Sequence, residues 1–351
     1  MNHEYYINRT FELASLGLGH TFPNPLVGCV IVKNGQIIGE GHHEKYGQGH
    51  AEINALKNCS ESPEGATLYV NLEPCCHTDK QTPPCAQRLI QEKIKKVVIC
   101  NLDPNPKVNG QGVSLLREKG IEVEHGILKD AGEKLNEVFF YNQRAQSPFI
   151  HLKLASTLDG RIALPSGESK WITGEGARNY VHYLRSIHQG VIIGAETLRQ
   201  DNPQLNVRLD HFKAEQPWRI IFTRSGNLPK DSKIFTDDQA HKTIVFSESP
   251  LDLKLPSEHI LRIKDISEAL MILKEKKLMN LFLEGGATLA SEFMKENRIQ
   301  RVSYFINPSF LGSGKTALSG LNISQLKSRP KLINLESQWY GEDLLITGRL
   351  Q

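Results

Sequence analysis

The sequence predicts an α/β protein built from two successive domains, and three observations carry that expectation. Apolar strand-like runs alternate with helix-patterned segments along nearly the whole chain, the pattern of helices packed on sheets. A length of 351 residues exceeds one domain of ordinary size. Gln143-Arg144-Ala145-Gln146-Ser147-Pro148 is polar and ends in proline, and the strand pattern restarts directly after it. The expected domains are residues 1–146 and 147–351.

In the first half, residues 4–18 place Tyr5, Tyr6, Phe11, Leu13, Ala14 and Leu16 at helical spacing, and Pro23-Asn24-Pro25 breaks the pattern. Residues 28–32 and 37–41 read as two strands joined by a turn containing Asn34-Gly35. Further strands are expected at 67–72, 96–100 and 121–123, and helices after His50, near 85–94, at 112–119 and over 130–144. Helices alternating with strands after an initial hairpin describe a three-layer α/β/α domain.

Within that frame lie His50-Ala51-Glu52, Glu73-Pro74-Cys75-Cys76 and Thr82-Pro83-Pro84-Cys85. One imidazole, two thiolates and a carboxylate that does not itself ligate are what a zinc deaminase requires. His50, Cys75 and Cys85 are therefore the expected Zn²⁺ ligands, and Glu52 the catalytic proton carrier. Three protein ligands leave one tetrahedral position for water, whose pKa zinc lowers to roughly 7. Residues two apart point to nearly opposite sides of a helix, so His50 and Glu52 can share a site only where a helix begins. Gly47 and Gly49 just ahead of them suit that geometry. A structural zinc pair or unliganded core thiols compete for Cys75 and Cys85 taken alone, and Cys76 could replace Cys75, which is preferred because it follows the proline. Nine residues separate Cys75 from Cys85, where many zinc deaminases have about two; the insertion is expected to loop over the site.

The second half should hold strands at 149–155, 190–194, 218–222, 243–246 and 280–284, separated by helices around 175–188, 266–277 and 287–296. Continuous apolar strands with helical crossovers predict a largely parallel sheet covered on both faces. No Gly-x-Gly-x-x-Gly follows the first of these strands, so the usual dinucleotide fingerprint is missing. Gly312-Ser313-Gly314-Lys315-Thr316 lacks the leading glycine of a phosphate loop, because Ser309 stands there. Glu284-Gly285-Gly286 runs from a strand into a helix and can present backbone N–H groups to a phosphate.

The formal charge of +3 and the absence of long Lys/Arg runs give no footprint for nucleic acid. No apolar run approaches the roughly 18 residues of a membrane span, and residues 1–5 do not open a signal peptide. Six cysteines show no disulfide-framework spacing. A cytoplasmic enzyme acting on small molecules is expected, with no nucleic-acid or membrane partner; a homo-oligomer is left open.

The motifs resemble the bifunctional riboflavin-biosynthesis deaminase–reductase family across nearly the whole chain. Its Pro-Asn-Pro-x-Val-Gly is found at Pro23–Gly28, and its Asp-Pro-Asn-Pro-x-Val-x-Gly-x-Gly at Asp103–Gly112. Lys-x-Ala-x-Ser-Leu-Asp-Gly-Arg is found at Lys153–Arg161 with Thr157 for serine, and Ser-x-Trp-Ile-Thr at Ser169–Thr173. Gly-x-x-Thr-x-x-x-Asp-x-Pro-x-Leu-x-x-Arg spans Gly194–Arg208, and Glu-Gly-Gly is Glu284–Gly286. The resemblance implies a cytidine-deaminase-like fold followed by a dihydrofolate-reductase-like fold that uses NADPH. It implies Asn24, His42 and Asn105 at the diaminopyrimidine phosphoribosyl substrate of the deaminase. In the reductase it implies Ala155, Trp171, Thr197, Asp201, Gly285 and Gly286 at NADPH. Ser169, Arg185, Leu205, Arg208 and Glu284 would meet the substrate there. The two reactions would be hydrolysis of the pyrimidine amine, then hydride transfer that converts the ribosyl chain to ribityl. One departure is that the loop before Cys85 is one residue longer than the family's Cys-Ser-His-x-Gly-Arg/Lys-Thr-Pro-Pro-Cys, with Gln81 before the threonine and Lys80 in the basic position. The competing reading is a deaminase for another nucleoside or nucleotide with a non-catalytic second domain.

Overall fold

The computed structural model describes residues 2–76, 84–106, 108–145, 147–210 and 215–351, which fall into two compact units, Met1–Gln146 and Ser147–Gln351. The first unit comprises α1 (His3–Ser15), β1 (Gly28–Lys33), β2 (Gln36–His42), α2 (Ala51–Lys57), β3 (Thr67–Leu72), α3 (Cys85–Gln91), β4 (Lys96–Asn101), α4 (Gln111–Glu118), β5 (Glu122–His125), α5 (Lys129–Leu135) and α6 (Glu137–Ala145). Its five-stranded sheet has the order β2-β1-β3-β4-β5. β2, β1 and β3 pair antiparallel, and β3, β4 and β5 pair parallel. Asn34 and Gly35 both take positive φ, the backbone that a tight hairpin between right-twisted strands needs.

Side chains alternate across a strand, and here both faces are buried. Cys29, Ile31, Leu68, Val70, Val97 and Ile99 meet α2, α3 and α4 on one face. Val30, Val32, Tyr69 and Val98 meet α1 through Ile7 and Leu13 on the other. The result is the expected three-layer α/β/α arrangement. Gly41 is needed for this packing, because a Cβ there would stand 2.3 Å from the Ala55 backbone nitrogen. Without a side chain, β2 lets α2 lie directly on its backbone and fixes the start of that helix.

The second unit comprises β6 (Phe149–Thr157), β7 (Arg161–Ala163), α7 (Glu175–Ser186), β8 (Gly190–Gly194), α8 (Ala195–Asp201), β9 (Trp218–Thr223), α9 (Lys233–Thr236), β10 (Thr243–Ser247), β11 (Ile260–Arg262), α10 (Ile266–Glu275), β12 (Asn280–Leu283), α11 (Ala287–Lys295), β13 (Arg301–Asn307), β14 (Lys315–Thr316), β15 (Leu332–Tyr340) and β16 (Asp343–Leu350). Nine strands form one sheet, β11-β10-β9-β8-β12-β6-β13-β16-β15. It is parallel from β11 to β13, and antiparallel where β16 joins β13 and β15. Neighbouring residues again divide between faces. Ile192 and Leu281 pack with Leu273 of α10 and Phe293 of α11, whereas Val191, Ile193 and Phe282 pack with Val181 and Leu184 of α7.

Several expectations are corrected. The helix over 130–144 is two helices, α5 and α6, broken at Asn136. The buried Asn136 side chain accepts the Leu26 N–H at 2.8 Å and donates to the Leu26 carbonyl at 2.9 Å, which holds this position against the β1 approach. The polar stretch expected as a linker is helical through Ala145. The antiparallel end formed by β16 and β15 was not expected, and neither was β13. Lys315–Thr316 of the glycine-rich segment pairs with β7, and a Cβ at Gly314 would lie 2.3 Å from the Ala163 carbonyl. That segment is a strand ladder.

A buried ion pair stands in the second unit. Arg219 of β9 is buried, and donates to Asp237 at 2.7 and 2.9 Å, to the Ile234 carbonyl at 2.8 Å and to Thr243 Oγ1 at 3.1 Å. Removing one partner of a buried pair strands the other charge, at a cost of about 3–5 kcal/mol. Asp237→Ala should lower stability by that order in urea unfolding, with a smaller loss in Asp237→Asn, which keeps an acceptor.

Candidate active sites

In the first unit the β3 strand delivers Glu73, Pro74 and Cys75 at its carboxyl end, and two helices begin beside it. His50 is the N-cap of α2, with extended backbone, and Glu52 stands in the first turn. Cys85 opens α3, and its backbone N–H donates to Cys75 Sγ at 3.2 Å. His50 Nδ1 lies 3.6 Å from Cys75 Sγ and 3.3 Å from Cys85 Sγ. Among the described residues these are the three His, Cys, Asp or Glu side chains that come together as a metal cluster, with ligand atoms within 4.8 Å of one another. Sulfur at about 2.3 Å and nitrogen at about 2.0 Å from a tetrahedral zinc would themselves sit roughly 3.5 Å apart. The donor set therefore fits zinc. Cys76 does not join this cluster and packs against the sheet core.

The electrostatics match the geometry. Hydrogen bonding with Cys85, then with His50, holds the Cys75 thiol down at about 3, favouring the thiolate. Glu52 is buried, and burial followed by the neighbouring Cys75 raises its pKa above the usual carboxylate range. Its carboxylate hydrogen-bonds Cys85, which places it beside the cluster.

Around this centre, Asn24 Nδ2 lies 3.1 Å from His43 Nε2, and His43 Nδ1 lies 3.0 Å from the Gly49 carbonyl. The His43 ring meets that of His50 edge-on at 5.6 Å. His43 is buried and links Asn24 to the residue before the first ligand. Sequence reasoning did not single it out; a His-His pair ending a strand offers one member to each face, and alternation alone did not say which. His42 faces Gly28 across the hairpin and gives its carbonyl to Asn54. Asn105 donates its backbone N–H to Asp103 at 2.8 Å, an Asx turn. Glu73 was also missed. Its buried carboxylate accepts from the N–H groups of Asp103 at 3.2 Å, Gly110 at 3.0 Å and Val113 at 3.1 Å. A Cβ at Gly112 would lie 2.4 Å from the Pro74 carbonyl, so glycine is required where this loop crosses the segment carrying Cys75. Lys80 and Gln81 lie outside the described residues.

The second unit has a cleft of about 1630 Å³ at the carboxyl ends of β6, β8, β9 and β12, the edge where open parallel sheets bind ligands. It exceeds the roughly 300–1,000 Å³ of a single small-molecule pocket, leaving room for a dinucleotide and a second ligand. Ala155, Ser169, Trp171, Arg185, Thr197, Asp201, Leu205, Arg208, Glu284, Gly285 and Gly286 all line it. Gly286 caps α11, and a Cβ there would meet Thr197 Oγ1 at 3.4 Å, so the turn opens its backbone to the cleft beside that hydroxyl. Trp171 is 71% exposed, with the Arg178 guanidinium 4.7 Å from its ring centre, so it is no core residue. Asp201 pairs with Lys170 at 3.3 Å. Leu205 is buried in the left-handed region, and Arg208 is exposed.

Arg185 and Glu284 form a two-pronged ion pair, with Nη2 donating to Oε2 at 2.9 Å, and Arg185 Nη1 donates to the Asn206 carbonyl at 3.1 Å. Burial opposes ionisation of Glu284, but Arg185 outweighs it and holds the carboxyl below its ordinary range. Lys153 also lines the cleft; burial lowers its pKa, opposed by Glu284. The sequence alone gave it no role.

Residues 148–346 match the family described as RibD C-terminal domain, and residues 1–101 match the cytidine and deoxycytidylate deaminase zinc-binding region. The riboflavin biosynthesis protein RibD of Actinobacillus pleuropneumoniae is 40% identical, covering 97% of this chain and 93% of its own. That of Escherichia coli is 35% identical, covering 99% of each. Among solved structures, Acinetobacter baumannii RibD aligns with a TM-score of 0.89 at 39% identity, covering 99% of both chains. The diaminohydroxyphosphoribosylaminopyrimidine deaminase/5-amino-6-(5-phosphoribosylamino)uracil reductase of Thermotoga maritima aligns at 0.87 and 38%, covering 99% and 98%. No helix among the described residues is long and apolar enough to cross a membrane. With both halves matched over nearly their full length, the chain belongs to the bifunctional riboflavin-biosynthesis family in which a zinc-binding deaminase is joined to an NADPH-using reductase.

Proposed function

We propose that the first unit deaminates the diaminopyrimidine ribosyl phosphate at the His50, Cys75 and Cys85 cluster, and that the second reduces the product's ribosyl chain in the cleft above β6 and β12. The single observation that carries the first assignment is the convergence of these ligand atoms with a buried carboxylate beside them. Zinc, when held by the three ligands, supplies the Lewis acidity that makes hydroxide available near neutral pH. Glu52 takes the proton from attacking water and returns it to the departing amine, a task suited to a carboxyl whose pKa is raised. His43 accepts from Asn24 and so orients its amide toward the pyrimidine, and Asn105 lies in the loop that Glu73 holds. His42 is a weaker candidate for substrate contact than His43, whose ring is tied to both Asn24 and His50.

In the second unit, NADPH supplies hydride when bound along Ala155, Trp171, Thr197, Asp201 and the Gly285-Gly286 turn. Reduction at C1′ also needs a proton. Lys153 is placed to deliver it, because it lines the cleft and burial makes its ammonium a better acid, against the opposing charge of Glu284. Arg185 has its guanidinium committed to Glu284 and Asn206, so it shapes the floor. Arg208 has donors available beyond its 3.2 Å bond to Asn206 and suits the substrate phosphate, with Ser169 and Leu205 nearby in the lining.

The small net charge supports small-molecule substrates over nucleic acid, and six cysteines without a disulfide among them support a reducing, cytoplasmic setting. The exposed outer strand β15, with Leu335 at 61% and Trp339 at 64% exposure, supports self-association into a homo-oligomer.

Glu52→Gln should lower deaminase kcat by roughly 10²–10⁴-fold with zinc content by atomic absorption unchanged and reductase turnover intact; unchanged ammonia release would refute the role of Glu52. Lys153→Met should abolish reductase turnover while leaving NADPH affinity by fluorescence titration the same. Arg208→Ala should raise the reductase KM with no change in deamination, and an effect on both reactions would contradict separate sites.

A further inference from the structure

The segment carrying Trp171 is tied down from behind the cleft. Thr173 and Gly174 share one peptide unit, and both of its polar ends are taken. The Thr173 carbonyl accepts from Arg178 Nη1 at 2.6 Å, and the Gly174 N–H donates to Asp343 Oδ2 at 2.7 Å. Arg178 also lies over the Trp171 ring. Gly174 is the N-cap of α7, and the third residue of that helix is Ala177. A capping box needs a Ser or Thr at the first of these positions and a Glu or Gln at the second, which bonds back to the N-cap N–H. Glycine and alanine supply neither, so the N–H goes to a carboxylate from β16 instead. A negative charge there also suits the positive end of the helix.

Asp343 is buried and is not one of the residues that line the cleft. Its other oxygen, Oδ1, accepts from Asn307 Nδ2 at 2.8 Å, and Asn307 Oδ1 accepts from Ser309 Oγ at 2.6 Å. Asn307 closes β13, next to Ile306, which pairs with Leu344 of β16. The carboxylate is thus fixed by two sheet strands before it reaches Gly174. Gly176 permits the approach, because a Cβ there would stand 3.2 Å from the Tyr340 backbone carbon, at the turn between β15 and β16. Trp171, by contrast, is exposed and depends on its own short segment for its position. We infer that Asp343 is a positioning residue of the reductase: through the Gly174 N–H it sets the segment 171–174, and with it the Trp171 face that meets NADPH. This deepens the placement of the cofactor at Trp171 proposed above and rests on it.

The test uses the zinc-loaded full-length chain with Trp218→Phe and Trp339→Phe, which leaves Trp171 as its one tryptophan. Asp343→Ala should shift the Trp171 emission, open the ring to acrylamide quenching and weaken NADPH binding about tenfold, the order of one hydrogen bond to a charged group. Asp343→Asn keeps an acceptor for the Gly174 N–H and should restore most of both, and deamination should stay the same in either variant. Added to Trp171→Ala, Asp343→Ala should cost no further NADPH affinity, whereas a general loosening of the fold would. Unchanged Trp171 emission or unchanged NADPH affinity in Asp343→Ala overturns the inference. So does an additive loss in the Trp171→Ala background, and so does failure of the asparagine variant to recover. In the unaltered chain without NADPH the Gly174 amide should exchange slowly with deuterium; rapid exchange overturns the inference even where the alanine variant does not fold. If Trp171→Ala weakens NADPH binding and Asp343→Ala does not, this inference alone fails. If Trp171→Ala leaves NADPH binding as it was, the placement of the cofactor at Trp171 fails, and this inference with it.

Discussion

The first helical turn leaves backbone N–H groups without intrahelical partners, and both halves of this protein direct those groups to the ends of buried strands. In the first unit α2 and α3 begin at the mouth of β3, so that His50, Glu52 and Cys85 converge on Cys75 while the α3 terminus donates to its sulfur. The positive end of a helix dipole also favours thiolate over thiol, in the same direction as the hydrogen bond. In the second unit α8 and α11 begin beside one another where β8 and β12 end, and the glycines there leave the backbone open to a ligand. Chemistry at both places depends on strands rigid enough to hold the helix starts still.

The two sites handle buried charge differently. The deaminase cluster gathers groups that a divalent ion neutralises. The reductase cleft settles its own charges internally, since Arg185 and Glu284 cancel and leave a polar but organised floor on which Lys153 sits. A buried pair of this kind adds little net stability. Its use is orientation: the pair fixes Arg185 and Glu284 in the cleft wall.

Much of this was legible in the sequence. The apolar runs at 67–72, 96–100, 190–194 and 280–283 are buried on both faces, and such strands betray themselves by continuous hydrophobicity. The metal ligands were legible because soft donors with a neighbouring carboxylate have few other uses in that order. His43 and Glu73 were not, because each acts through backbone partners supplied by other segments, and a sequence does not show which N–H or carbonyl will be opposite. The strand β15 escaped notice for another reason. It lies at the sheet edge with a register shift between Ile333 and Glu336, and no buried face imposes a pattern on it. Asn136 broke a helix whose periodicity was sound, because its amide found the Leu26 backbone.

Glu73 holds the loop from Asp103 to Val113 and sits two residues before Cys75, with Pro74 between them limiting the play. The fold of that loop and the seat of the Cys75 sulfur thus draw on the same carboxylate. Loop and ligand are mechanically joined in this half, so a drift in loop sequence that loosens one loosens the other. Selection on either property would be felt by both.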